Sequence, residues 1–311
     1  MINDLQIKAG VYVLAVSGGV DSMVLLDILA KPANSREPVA NSRPKPKAES
    51  YQLVVAHFNH GIRGDSDEDE QLVTKSAAKY KLPLEIGRTK LGVGTSEEKA
   101  RQARYEFLYR IKEKRQARAI ITAHHQDDLI ETALINILRG TGRRGPTAMA
   151  QNPDIIRPLL NTPKSELVQY AKAHKLDWRE DVTNKDTRYL RNYIRLKVVP
   201  RLSASQRQEL LAHITELNRL NPVLDLEIAN LSQSLLFGNK IKRQKFISLP
   251  AEIAAEVLTY LLRQENIRRF DRKTIDRLAV AIKTAKPGTK HDILKRSRLK
   301  VDKDFAEIQK I

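Results

Sequence analysis

The run Val11-Tyr12-Val13-Leu14-Ala15-Val16 leads directly into Ser17-Gly18-Gly19-Val20-Asp21-Ser22, and apolar Met23-Val24-Leu25-Leu26 follows. A short apolar run that meets a Ser/Gly turn and then a helical apolar pattern reads as a buried strand, a tight loop and a helix start. Backbone N–H groups at a helix start point into such a loop, and glycines let an anion come close to them. The hydroxyls of Ser17 and Ser22 add donors. The loop lacks GxxxxGK[ST]; where that pattern has a lysine, this one has a carboxylate, Asp21. An acid beside a phosphate cradle suggests Mg²⁺ bridging carboxylate and phosphate oxygens. An ordinary strand-to-helix turn would account for the glycines but not for the serines and the acid together.

Two domains are expected from 311 residues, and a hydrophobic fraction of 41% can fill sizeable cores. The chain has no cysteine, which excludes disulfides, thiolate-bound zinc, iron–sulfur clusters and persulfide chemistry. No run approaches a membrane span, and Met1-Ile2-Asn3-Asp4 does not begin a signal peptide, so a cytoplasmic, membrane-free protein is expected. Lys and Arg number 55 against 37 Asp and Glu, a net charge of +18. Such an excess suits a polyanionic partner, most simply nucleic acid. Residues 262–311 alone hold 15 Lys and Arg against 7 Asp and Glu.

Short apolar runs at 11–16, 53–56, 84–86, 119–123 and 155–158 alternate with helical patterns at 21–30, 66–80, 96–116, 126–139 and 165–175. A cap at Thr95 or Ser96 starts the third helix. This alternation predicts a parallel α/β sheet, whose ligands sit outside the carboxyl ends of the strands. Ser17–Ser22, His57–Gly64 and His124–Asp128 all fall there. Residues 31–50 are rich in Pro, Ser, Lys and Ala without apolar periodicity, and read as a disordered insertion. From about 205 the pattern is helical (205–236, 251–264, 271–285), with a weak hairpin around Asp302-Lys303-Asp304. Residues 1–204 are therefore expected to form the catalytic domain. Residues 205–311 are expected to form a smaller, mainly helical domain with a terminal β-hairpin.

His124-His125-Gln126-Asp127-Asp128-Leu129-Ile130-Glu131 ends a strand and opens a helix. Asp128 and Glu131 are three apart and share a face. With His124 they could hold Mg²⁺ or polarise a nucleophile, whereas simple capping would use only one acid. Arg101 and Arg104 also share a helix face. Leu138-Arg139-Gly140-Thr141-Gly142-Arg143-Arg144-Gly145 could be a plain helix end or a loop that tracks a phosphodiester backbone.

SGGVDS resembles the pyrophosphate loop of the N-type ATP pyrophosphatases. HFNHGIRG, EEKARQARYEFL, TAHHQDDLIETALINILRGTG, RPLL and EDVTNKDTRYLRNYIR follow it in order over residues 11–200. Together they resemble the tRNA(Ile)-lysidine synthetase family. The resemblance implies the adenine nucleotide α-hydrolase (PP-loop) fold. It also implies an ATP-dependent ligase that couples L-lysine to the wobble cytidine of the CAU-anticodon isoleucine tRNA, releasing AMP and pyrophosphate. By resemblance, Ser17, Gly18, Gly19, Val20, Asp21 and Ser22 bind ATP, and Asp21 helps to hold Mg²⁺. Arg104, and Arg101 with it, lie near phosphates. His124, Asp128 and Glu131 handle lysine and the reacting base. Arg191, Asn192 and Arg195 meet tRNA or ATP phosphates at the mouth of the site, and residues 205–311 dock tRNA. His125 stands where members often have Asn, the 31–50 insertion is longer than the family leads one to expect, and a further C-terminal domain of longer members is expected to be missing. A cytidine thiolase of the same superfamily would be expected to use cysteines. A non-catalytic basic RNA-binding protein would not need the intact loop and acidic cluster.

Overall fold

Strand–helix alternation builds the first of two compact units, residues Met1–Thr132 with Gln151–Ser203. The structure, a computed structural model, describes residues 7–34, 51–61, 66–89, 95, 97–150, 152–179, 187–267 and 270–311. In chain order come β1 (Gly10–Ala15), α1 (Val20–Asn34), β2 (Tyr51–Asn59), α2 (Ser66–Lys79), β3 (Leu84–Arg88), α3 (Glu97–Lys114), β4 (Ala119–Ile121), α4 (Gln126–Leu138), β5 (Ile155–Ile156), α5 (Lys164–Ala173) and α6 (Leu190–Tyr193). A π-helical turn, Ile194–Val198, and a 3-10 turn, Val199–Arg201, continue α6. Most of the expected 31–50 insertion, the Ser96 cap, Ile62–Gly64 and residues 180–186 lie outside the described residues. Residues 31–34 are a correction to that insertion, because α1 continues through them to Asn34. Its added turn includes Lys31, whose Nζ donates to Asp27 one turn back at 2.7 Å.

The five strands are parallel, in the order β3-β2-β1-β4-β5. Leu14 pairs with Val55 on one side and Ile121 on the other, so β1 and β4 end within a residue of each other while β2 runs three residues further, to Asn59. Alternation sends Tyr12 and Leu14 to one face, against α1, Val73 and Ala77 of α2, and Leu167 and Ala171 of α5. Val13, Val54 and Ile120 go to the other face, against Phe107, Leu108 and Ile111 of α3. Burying each such Val, Leu or Ile is worth about 1.5–3 kcal/mol. Gly87 of β3 is a close approach: a Cβ there would lie 2.6 Å from the Phe107 ring.

Asp27 ties three helices of this unit together. Its carboxylate accepts from Lys31 of α1, from Tyr80 just after α2, and from Tyr170 of α5 at 2.7 Å. Burial pushes its pKa up, but the hydrogen bonds from Lys31, Tyr80 and Tyr170 outweigh burial and leave it lowered. A lowered folded pKa contributes stability that is present above the unfolded value of about 3.9 and is lost as pH falls through the folded value. The urea midpoint of the native protein should therefore fall below about pH 4 more steeply than that of Asp27→Asn. Parallel acid curves for the two proteins would contradict this account of the clamp.

The second unit comprises residues Ala133–Ala150 and Ala204–Ile311. Its long helix α7 (Ala204–Leu235) is followed by β6 (Leu236–Phe237), β7 (Lys240–Lys242), α8 (Arg243–Ile247), α9 (Ala251–Gln264) and α10 (Arg272–Thr284). Strands β8 (Thr289–Leu294), β9 (Ser297–Val301) and β10 (Phe305–Lys310) close the chain. Asp271 caps α10, accepting from Thr274 N at 2.8 Å. The terminal hairpin is β9–β10, but it belongs to a five-stranded sheet in the order β6-β7-β10-β9-β8, antiparallel at every pairing. Helices α9 and α10 bury Leu258, Leu262, Leu278 and Ile282 with Leu299, Val301 and Ala306 of that sheet. Arg143 donates to Asn221 Oδ1 and Asp225 at 2.6 Å each and to Glu256 at 3.2 Å, while Arg144 pairs with Asp225. Both arginines are thus committed to protein carboxylates, which leaves little of the backbone-tracking role considered for their loop. Among the described residues no helix is long and apolar enough to cross a membrane.

Candidate active site

In a sheet of order 3-2-1-4-5 the chain reverses direction across β1, and the crevice opens where β1 and β4 end. Residues 16–19 and 122–125 occupy it. The loop after β1 is braced from within. Ser17 N donates to Ser22 Oγ at 3.2 Å, and Ser22 Oγ donates to Gly19 O at 2.9 Å. Gly18 has φ +91°, a conformation that a side chain would strain even though a Cβ would fit, 3.5 Å from Asp69. Arg179 N donates to Gly18 O at 3.0 Å, and Arg179 Nε reaches Asp69 at the same distance. His57 anchors the loop from β2: its Nδ1–H donates to Val16 O at 2.9 Å. Burial lowers the pKa of His57 and keeps the ring neutral, although the Val16 carbonyl, Glu70 and Asp69 pull the other way.

Asp21 lies in the first turn of α1. Its Oδ2 is 3.5 Å from His125 Nε2 and 3.4 Å from Lys164 Nζ, while its buried Oδ1 has no hydrogen-bond partner. On its other side His125 Nε2 is 3.4 Å from Asp128 Oδ2. The imidazole, 3% exposed, therefore bridges the phosphate loop to the acidic cluster. Asp127 N–H donates to His125 Nδ1 at 3.2 Å, which places the ring proton on Nε2, between the two carboxylates.

Asp128 also accepts from His125 N at 3.1 Å, capping α4. Burial opposes its charge, but His125, through its ring and its backbone N–H, and Arg195 outweigh burial and hold its pKa low. Glu131, 1% exposed, receives a fork from Arg195: Nε to Oε1 at 2.8 Å and Nη2 to Oε2 at 2.9 Å. Arg191 Nε is 3.4 Å from Glu131 Oε2, and Arg195 Nη2 is 3.2 Å from Asp128 Oδ1. Burial nonetheless raises the pKa of Glu131. His124 hydrogen-bonds the Thr122 hydroxyl through Nδ1 at 2.7 Å. Burial, set against Asp128 but aided by Arg157, Arg101 and Arg104, pushes its pKa down to about 3, so this ring is neutral.

These groups share one cavity of about 820 Å³, lined by Ser17, Asp21, His57, Arg104, His124, Asp128, Glu131, Lys164 and Arg195 among others. Arg104 and Arg101 flank the Tyr105 ring, at 5.7 and 4.9 Å, and Arg101 is exposed outside the lining. Arg191 and Asn192 are half-buried and do not line the cavity, whereas Arg195 does. The structure therefore brings most of the sequence candidates together and turns Arg191 and Arg195 toward protein carboxylates. Three participants were not singled out in the sequence: Lys164 and Arg179, and His125 as a bridge. Lys164 arrives because Gln126 N donates to Thr162 O at 3.0 Å, docking the start of α5 beside the start of α4.

A glycine loop at the end of a central parallel strand, backed by a helix start and an acid, defines a nucleotide-binding α/β domain. The chain belongs to the PP-loop domain family, an ATP-utilising family that matches residues 2–202. It is 35% identical over 82% of its length to a tRNA(Ile)-lysidine synthase of Nitrosomonas europaea, covering 55% of that protein. It is 38% identical over 63% of its length to one of Pseudomonas aeruginosa, covering 43% of it. The chain thus spans about half the length of the curated relatives it matches. Its fold is similar to that of a U34-tRNA thiolase from Methanococcus maripaludis that carries a [4Fe-4S] cluster: TM-score 0.53, 16% identity, 69% of this chain and 73% of that one.

Proposed function

We propose that this chain is a tRNA(Ile)-lysidine synthase, an ATP-dependent ligase that joins L-lysine to the wobble cytidine of the CAU-anticodon isoleucine tRNA in the cytoplasm. The observation that supports this most is the Asp21–His125–Asp128 bridge, which sets the phosphate loop beside the acidic cluster in one nucleotide-sized cavity. The thiolase alternative needs sulfur chemistry for which this chain has no cysteine.

The C2 oxygen of cytidine leaves readily only once it carries an adenylate. Loop N–H groups and the Ser17 and Ser22 hydroxyls would hold the departing pyrophosphate and offset its charge. The unpartnered Oδ1 of Asp21 fits Mg²⁺. An ion of that kind shares its coordination with phosphates and water and draws on few protein ligands. Asp21 would hold that ion, which supplies charge neutralisation at the phosphate oxygens. Asp128 and Glu131 would receive the lysine ammonium, and the raised pKa of Glu131 suits it to take the proton that the amine must lose. Neutral His124 can hydrogen-bond the base without adding charge. Arg104 would serve the phosphates, with Arg101 beside it, and Arg191, Asn192 and Arg195 would act toward the tRNA. The basic C-terminal unit would dock the tRNA body through phosphate contacts.

Incubating the protein with ATP, L-lysine and CAU-anticodon tRNA should give lysidine on nucleoside mass spectrometry, with AMP and pyrophosphate released in equal amounts. Release of AMP without a lysine adduct would leave a PP-loop enzyme with another substrate and overturn this reading.

A further inference from the structure

The run that starts at Tyr189 and continues through α6 and the π-helical turn has two unlike faces. Inward, Arg191 and Arg195 reach Glu131, and Ile194 and Val199 are 2% exposed. Outward, Tyr189 is 56% exposed, Tyr193 49% and Leu196 40%. Tyr193 N donates to Tyr189 O at 2.9 Å, so the two rings lie one helical turn apart on the same side. Neither hydroxyl has a partner among the described residues, and neither ring packs on another there. Leu196 and Arg195 line the active-site cavity, so the outward face runs into the cavity wall. Lys197 and Arg201 are exposed on the same run. Two tyrosines held in water on a basic segment serve no packing purpose in the fold. Their π faces and the nearby cations match an unpaired nucleobase followed by its phosphate. The π-helical turn between Tyr193 and Val199 adds a second sign, since such turns concentrate at functional sites.

We infer that Tyr189 and Tyr193 form a stacking platform for unpaired bases of an RNA loop, positioned to lead a neighbouring base into the cavity. The inference rests on the tRNA reading above and assigns this face to the single-stranded part of that partner. The occupant follows from charge and continuity: the face is basic, aromatic and contiguous with the site where one base must be presented out of its stack.

The test is binding of a CAU-anticodon stem–loop carrying 2-aminopurine next to the target cytidine, with a blunt duplex of equal length as control. The native protein should quench the probe and prefer the stem–loop. Tyr193→Ala should weaken stem–loop binding about ten-fold and the Tyr189→Ala/Tyr193→Ala double variant more, with the quench lost. The slope of log Kd against log salt should stay unchanged, because stacking releases no counterions. Tyr193→Phe should restore native affinity. Unchanged affinity and quench in the double variant would overturn the platform and leave the tRNA reading standing. So would a loss that flattens the salt slope, or a self-association that Tyr193→Ala abolishes in sedimentation. A native protein that binds neither RNA would overturn the tRNA reading and the platform with it.

Discussion

Asp21→Asn should abolish AMP and pyrophosphate formation, lowering turnover by roughly 10³-fold, the scale seen when a group aimed at developing charge is removed. The fold should survive, because the Asp21 side chain is 25% exposed and its nearest cations are 3.4 and 3.5 Å away. The amide keeps the shape and removes the charge that fits a metal at the phosphates. It also removes one of the two carboxylates that flank His125 Nε2. Magnesium dependence of ATP turnover and a thermal unfolding curve, measured on the same sample, separate the two effects. Near-native pyrophosphate release with unchanged magnesium dependence would remove Asp21 from the chemistry.

The second large effect belongs to Glu131. This carboxylate is buried and forked by Arg195, with Arg191 beside it. Glu131→Ala leaves two guanidinium groups facing a void. Removing one partner of a buried pair costs on the order of 3–5 kcal/mol, which in a chain of this size lowers the melting temperature by on the order of 10 °C. The charge at Asp128 and the part-exposure of Arg195 place the loss toward the low end of that range. On the proposed function activity should fall far more than stability, since the substrate ammonium would lose one of its two acids. A folded Glu131→Ala enzyme with a native KM for lysine would show that the carboxylate only positions Arg195. Arg195→Lys complements this test: it keeps the charge but not the fork, and should lose part of the stability.

What could be read in the chain was what is local to it. The strand-to-helix loop at Ser17–Ser22 and the His124–Glu131 cluster declare themselves by spacing, and apolar runs between helical patterns are enough for a parallel sheet. His125 could be placed at a strand end, but its bridge between Asp21 and Asp128 depends on β1 and β4 being neighbours, although more than a hundred residues separate them in sequence. Lys164 depends likewise on the start of α5 docking beside the start of α4, and Arg179 on the chain after α5 returning to Gly18 and Asp69. In the second unit β6 and β7 are two and three residues long, too short for a period to emerge. Their turn did leave a signal, Gly238-Asn239 after Phe237, with Gly238 at φ +61°. β8 was missed because its residues are mostly polar and only Ile293 is buried in it. The loop holding Arg143 and Arg144 reads as a plain helix end or a backbone-tracking loop because their counter-charges, Asp225 and Glu256, lie far away in the chain.

The fixed register of β1 between β2 and β4 has a consequence for how this protein can change. Residues advance about 3.3 Å along a strand, and a slip of one reverses every side chain between the faces. With Leu14 locked between Val55 and Ile121, the sheet works as a fixed ruler, and the loop after β1 and the His124–His125 pair after β4 are mounted just past its mark. New specificity can be written into the loops beyond that mark one residue at a time, whereas no gradual path exists through the strands themselves.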